Sequence, residues 1–177
     1  KKSMYLIFDT ETTGFPKNFN INFEDINNWD TARCVQLAWQ LHDIHGNLIN
    51  SSSKIIKPKG FEIPHASTKI HRITNEIADE QGYDIETVLD EFKIALENTE
   101  VIIGHNISFD INVIGSEFFR IDSSFSYPKL EIIDTMKSTT DYCKITIGKV
   151  GTVENISESG KFKDFFKFRV VIDNGDS

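Results

Sequence analysis

Apolar and polar residues alternate in blocks along the first half of the chain in a way that predicts strands before helices. Tyr5-Leu6-Ile7-Phe8 is a compact apolar run closed by polar residues and Gly14, the pattern of a short, buried central strand. Cys34 to Leu41 repeats that pattern. Ile44-His45-Gly46-Asn47 has the turn chemistry to send the chain back as Leu48 to Ile56, so the three segments form an antiparallel meander. Between the first two, Phe15 to Thr31 is rich in Asn and Asp, contains Pro16 and has no sustained period. It is expected to be a long loop or insertion.

After Pro58, Gly60 and Pro64 the period changes. Asp84 stands where an N-cap belongs, ahead of Ile85, Val88, Leu89, Phe92 and Leu96 at helical spacing. Val101-Ile102-Ile103-Gly104 returns to a strand, Ile107, Ile111, Ile114 and Phe118 mark one face of a second helix, and Leu130 to Ile133 reads as a further strand closed by Asp134-Thr135. Three strands, helix, strand, helix, strand is the order of an α/β protein with a mixed sheet flanked by helices. Beyond about Lys144 the pattern weakens. Residues 146–160 are rich in Gly, Ser and Thr, and the cluster Phe162, Phe165, Phe166 and Phe168 fits a helix face and a strand equally well.

Length and charge narrow the class. At 177 residues and 39% apolar, the chain suits one buried core. No run approaches the roughly 20 apolar residues of a membrane span, and Lys1-Lys2-Ser3 leads into too short a run for a signal peptide. A soluble protein of the cytoplasm is the expectation. Cys34 and Cys143 have no CxxC or Cys/His partner, so neither a disulfide framework nor a zinc site is indicated. The net charge of −8 argues against a protein that coats long stretches of nucleic acid, whose binding rewards many Lys and Arg contacts. It leaves room for an enzyme that grips one strand end and places cations among its carboxylates.

Two segments carry candidate chemistry. In Phe8-Asp9-Thr10-Glu11-Thr12-Thr13-Gly14, Asp9 and Glu11 are two apart at the end of a strand and so point the same way. Paired carboxylates in a small space stay ionised most easily beside a cation, and oxygen donors suit Mg²⁺ or Mn²⁺. Solvated carboxylates at a fraying strand end have the same spacing. In Ile103-Gly104-His105-Asn106-Ile107-Ser108-Phe109-Asp110, Asp110 falls in the first turn of a helix at the border of its apolar face and needs a partner there. The helix dipole alone would also favour a carboxylate at that end, and Asn106 or Ser108 could cap the same helix.

Taken together, an F-D-T-E-T-T-G strand and, about a hundred residues later, an N-x-x-F-D helix start resemble the first and second motifs of the DnaQ-like exonucleases of the DEDD group, which include polymerase proofreading subunits. Ile70-His71-Arg72-Ile73-Thr74 is similar to that family's His-Gly-Ile-Thr segment, with Arg72 in place of glycine, and Leu130-Glu131-Ile132-Ile133-Asp134-Thr135 is similar to the strand that follows the second motif. The resemblance covers about residues 4–142, the greater part of an exonuclease-like domain at 1–143, and sets residues 144–177 apart as an atypical tail. It implies a ribonuclease H-like fold and a 3′-5′ exonuclease that releases nucleoside 5′-monophosphates. It further implies two divalent cations, Mg²⁺ or Mn²⁺, held by the catalytic carboxylates Asp9, Glu11 and Asp110, one activating water and the other stabilising the leaving oxygen. Thr12, Ile70, His71, Asn106 and Phe109 would hold the terminal nucleotide of a single-stranded DNA or RNA 3′ end. Phe109 can stack on any base. A DNA polymerase subunit is the implied protein partner.

The family's third motif, His-x4-Asp or Tyr-x3-Asp, is absent. All five histidines, at 42, 45, 65, 71 and 105, precede its place, and Tyr127 and Tyr142 lack the aspartate; Asp164, Asp173 and Asp176 lack the upstream partner. Residues 137–177 hold 7 Lys/Arg against 6 Asp/Glu, and the first 136 hold 12 against 21. That change of character at the break favours a truncated or replaced segment over gradual decay. The alternative is a module that binds single-stranded nucleic acid without cutting it. A haloacid dehalogenase-type phosphatase, which needs Asp-x-Asp-x-Thr, is disfavoured by Glu11.

Overall fold

The computed structural model describes residues 4–138. The tail at 144–177, with its Phe cluster and late aspartates, and Tyr142 and Cys143 lie outside the described residues. Five strands form one mixed sheet in the order β3-β2-β1-β4-β5. β1 (Met4–Thr12), β2 (Cys34–Asp43) and β3 (Leu48–Ile55) are the antiparallel meander; β4 (Val101–Gly104) and β5 (Glu131–Asp134) add in parallel on the other side of β1. The fold class expected from the sequence is therefore the one observed.

Strand alternation sends Leu6, Phe8 and Thr10 to one face of β1, with Leu37, Trp39 and Leu41 beside them on β2. That face is covered by α3 (Ile85–Glu97), which buries Val88, Leu89, Phe92, Ala95 and Leu96, and by α4 (Ile107–Ile121), which buries Ile107, Val113, Ile114 and Phe118. Phe92 meets Phe8 at 5.0 Å and Trp39 at 5.4 Å between ring centroids, edge-to-face. α3 starts where its sequence requires, the Asp84 carboxylate accepting the Glu86 N–H. At the hairpin, Asp43 Oδ1 accepts the N–H groups of His45 and Asn47, both at 2.9 Å, and Gly46 takes φ 81°.

Two short helices were not legible in the pattern, α1 (His65–His71) and α2 (Asn75–Gln81). Each has seven residues, too few for an amphipathic period to declare itself. α1 ends at Arg72, whose φ of 67° is left-handed and whose N–H bonds to the Thr68 carbonyl. This is the position at which the resemblance leads one to expect glycine, and the backbone gives the reason: a residue without Cβ adopts this conformation without a clash.

The expected loop is present, with no helix or strand between Thr12 and Cys34. It is closed at its base, Thr13 N–H donating to the Arg33 carbonyl at 3.0 Å and Arg33 N–H to Thr13 Oγ1 at 2.9 Å. Its many asparagines satisfy its own backbone. Asn18 N–H donates to Asn28 Oδ1 and Asn28 Nδ2 donates to the Asn18 carbonyl, each at 2.9 Å, over a buried Trp29. The loop is then fastened to α4. Arg33 makes a two-point bridge to the buried Glu117 at 2.8 and 3.0 Å, and Arg120 reaches the Ile26 carbonyl and Asp30. Phe23 lies so close over Gly115 that a Cβ there would come within 2.5 Å of its ring.

Arg72→Gly is expected to raise stability by about 0.5–1 kcal/mol, since relief of the left-handed penalty exceeds the added chain entropy of glycine. Urea denaturation of the two proteins checks this; a lower midpoint for the glycine variant contradicts it.

Candidate functional site

β1 outruns its parallel neighbour. The β1–β4 register covers Tyr5 to Ile7, so on that side Thr10 has no strand partner for its N–H. Asp110, in the first turn of α4, takes the place of the strand. Its Oδ1 accepts Thr10 N–H at 2.9 Å and Thr10 Oγ1–H at 2.7 Å, and the residue is 3% exposed. The partner that the sequence required for this aspartate is thus the middle residue of Asp9-Thr10-Glu11.

Asp9 and Glu11 are half-buried on the face of β1 opposite Thr10, in unbroken register with Ala38 and Gln36 up to a bulge between Glu11 and Thr12. They share a face, as their spacing requires. Among the described residues no three His, Cys, Asp or Glu side chains come together closely enough to hold a metal ion. Asp110 Oδ1 is turned to Thr10, whereas Asp9 and Glu11 alternate with Thr10 along β1. The donor set is still one of hard oxygen atoms. It fits Mg²⁺ or Mn²⁺, which commonly take only one or two protein carboxylates and complete their shell with water and substrate phosphate.

Of the nucleotide-holding candidates, Thr12 and the α1 residues Ile70 and His71 lie at the turn that follows β1, and Asn106 and Phe109 lie at the start of α4. Thr12 Oγ1 donates to the Gly14 carbonyl at 2.8 Å, and Gly14 is extended at φ 159° with its α-carbon face close to the Thr31 carbonyl. α1 docks here through Ser67 Oγ, which donates to the Thr13 carbonyl at 2.6 Å. This brings His71 beside the Thr12 backbone and leaves Ile70 at 78% exposure on the surface of α1. Asn106 does not cap α4 through its side chain as the sequence suggested. It stands at the N-cap position in left-handed backbone, φ 55° and ψ 38°, with an exposed side chain.

Phe109 is half-buried and packs on Trp29 at 6.0 Å. The fastened loop adds two rings that pattern reading passed over. Phe15 and Phe19, 62% and 60% exposed, lie 6.0 and 6.4 Å from Phe109 and 5.8 Å from each other. They were missed because nothing in an aperiodic loop distinguishes an exposed aromatic from a buried one.

His71 Nδ1 accepts the Ile73 N–H at 3.1 Å, which places the proton of the neutral ring on Nε2, and Nε2 has no hydrogen-bond partner among the described residues. Burial holds its pKa below the ordinary 6.5, partly opposed by the Thr12 backbone, which is near enough to favour a proton without reaching bonding geometry. Cys34 is an ordinary buried thiol, held well above the usual range by burial first and by Glu117 and Asp110 next. Burial, reinforced by Asp110, also keeps Tyr127 protonated, and its hydroxyl donates to the Ile111 carbonyl at 2.8 Å.

The chain belongs to the RNase T exonuclease family, whose sequence model matches residues 6–166. That match runs on through part of the segment after residue 143. Similar proteins include the PolC-type DNA polymerase III of Clostridium perfringens, 28% identical over 130 residues, and that of Streptococcus pneumoniae, 28% identical over 138 residues. These alignments cover 73% and 77% of this chain but 8% of each polymerase, so the chain spans a small part of the relatives' length. Among solved structures, Escherichia coli exonuclease I with a dT13 oligonucleotide has a TM-score of 0.60 at 19% identity, covering 86% of this chain and 33% of that one. A zinc-bound exonuclease I–single-stranded DNA complex has a TM-score of 0.63 at 19% identity, covering 88% and 33%. These structures establish the shared fold.

Two outcomes follow from the geometry. Thr10→Val, which removes one hydrogen bond to a buried carboxylate, is expected to cost about 2 kcal/mol in urea unfolding; an unchanged midpoint would show that Asp110 does not depend on it. For His71, a depressed folded-state pKa means that the unfolded chain binds more protons, so its contribution is complete above 6.5 and is lost as pH falls through the folded-state value. His71→Gln should therefore lose this component of the rise in stability with pH, read from urea midpoints across that window.

Proposed function

We propose that this domain removes nucleotides from the 3′ end of single-stranded DNA, in the setting of a replicative polymerase. The observation that supports the reading is the buried Asp110 bonded to Thr10, which brings the two acidic segments to the same end of β1. The PolC-type relatives and the oligonucleotide complexes of exonuclease I support DNA as the substrate.

In this reading Asp9, Glu11 and Asp110 would hold two divalent cations, Mg²⁺ or Mn²⁺. Bound there, the cations make water more acidic and offset charge that builds on the phosphoryl oxygens. The protein's own groups do the rest. Phe109, with Phe15 and Phe19 beside it, offers faces to bases without regard to sequence. The Thr12–Gly14 turn, Ile70, His71 and Asn106 border the terminal nucleotide. Hydrolysis at the last phosphodiester gives a nucleoside 5′-monophosphate.

A 5′-labelled oligonucleotide incubated with the chain and Mn²⁺ should shorten from its 3′ end, and Asp9→Ala or Asp110→Ala should slow this by about a hundredfold or more. Fluorescence polarisation on the same oligonucleotide separates cutting from holding. Binding without shortening would overturn the enzyme reading and identify a single-strand clamp.

A further inference from the structure

Asp134 closes β5, paired in parallel register with Gly104, and is 8% exposed. Its Oδ1 accepts two backbone N–H groups at 3.0 Å each, that of Asn106 across the strand ends and that of Met136 on its own chain. Its neighbour Thr135 donates Oγ1–H to the Gly104 carbonyl at 3.2 Å and lies 3.3 Å from His105 Nδ1. Gly104, His105 and Asn106 are the passage from β4 into α4. Two adjacent residues of β5's end therefore grip every residue of that passage.

The passage needs a grip because of Asn106. It is one of two non-glycine residues with positive φ among the described residues, and its side chain gives the helix no cap. Left-handed backbone brings Cβ against the carbonyl oxygen, a cost asparagine bears better than most residues but does not escape. A buried carboxylate on its N–H opposes that cost with a charge-assisted bond. Phe109 and Asp110 follow three and four residues later, so the dihedral angles at Asn106 decide where both arrive.

We propose that Asp134 is a positioning residue: by holding Asn106 in left-handed backbone it fixes the start of α4, so that Asp110 meets Thr10 and Phe109 meets the rings of the loop. Its relevance to catalysis rests on the exonuclease reading, whereas the structural linkage is measurable without turnover. Asp134 is not offered as a metal ligand. Its Oδ1 is committed to N–H groups, and the buried Oδ2 has no hydrogen-bond partner among the described residues, with Lys137 Nζ at 4.0 Å. The plainer alternative is that Asp134 merely caps the helical turn at 135–138 through Met136.

The Thr10 amide reports the placement of Asp110, because its N–H bonds to that carboxylate. In the full ¹⁵N-labelled chain, Asp134→Ala should speed hydrogen exchange at the Asn106 and Thr10 amides by about tenfold or more, with the β2–β3 ladder unchanged. Asp134→Asn keeps an oxygen acceptor and should stay within about threefold of the parent. Asn106→Ala, which penalises the left-handed conformation and leaves Asp134 intact, should also loosen Thr10, and this arm stands even if Asp134→Ala does not fold. In an Asn106→Gly background, Asp134→Ala should have little further effect at Thr10, since glycine needs no help to adopt that backbone. Unchanged Thr10 protection in Asp134→Ala or Asn106→Ala would overturn the proposal, and so would a full effect of Asp134→Ala in the glycine background, which would leave only the cap. Failure of the parent to shorten an oligonucleotide would sink the exonuclease reading and the catalytic relevance with it, while the amide data would still decide the linkage.

Discussion

A strand that continues past its neighbour leaves backbone N–H groups that must be paired or hydrated, and the end of β1 is such a place. Asp110 supplies the missing acceptor to Thr10 from a helix, twice over, in a buried setting. Much of the architecture serves that contact. α4 has to begin at the right height beside β1, which Asn106 and the end of β5 arrange. It also has to press against the sheet, which Ile107, Ile114 and Phe118 arrange through burial. The acidic segments are separated by a hundred residues of sequence and joined by one carboxylate oxygen.

The same contact explains why acidity at this place is tolerable. Asp110 is stabilised by two donors before any cation is considered, whereas Asp9 and Glu11 retain partial exposure on the other face. Asp110 therefore serves the fold more directly than Asp9 and Glu11 do. Hydrogen bonds to a buried charge contribute to folding.

How much of this was legible in sequence depended on period and length. α3 and α4 were readable because 13 and 15 residues show a full amphipathic stripe, and the strands because apolar runs ended in turn chemistry. α1 and α2 were not, since two turns are too few. Asp9, Glu11 and Asp110 were picked out by type and spacing, but their relative orientation was not: alternation predicts that Asp9 and Glu11 share a face, and it says nothing of a helix packed on the opposite one. The role of Thr10 was hidden because a threonine between two acids reads as filler. Phe15 and Phe19 were hidden because exposure is a tertiary property, and Asn106 because left-handed backbone leaves no mark on residue order.

The loop between β1 and β2 carries a consequence of its own. It is shut at the base by Thr13 and Arg33, and Arg33 is in turn anchored by Glu117. Within the loop the load is uneven: Trp29 and Ala32 are buried in the main core, and Phe23, Ile26 and Asp30 meet α4. Phe15 and Phe19 stand exposed and carry none of it, whereas Thr10 and Asp110 are buried against each other. Replacing the exposed rings would therefore change the surface of the domain and leave its core intact, whereas replacing the buried pair would disturb the fold itself.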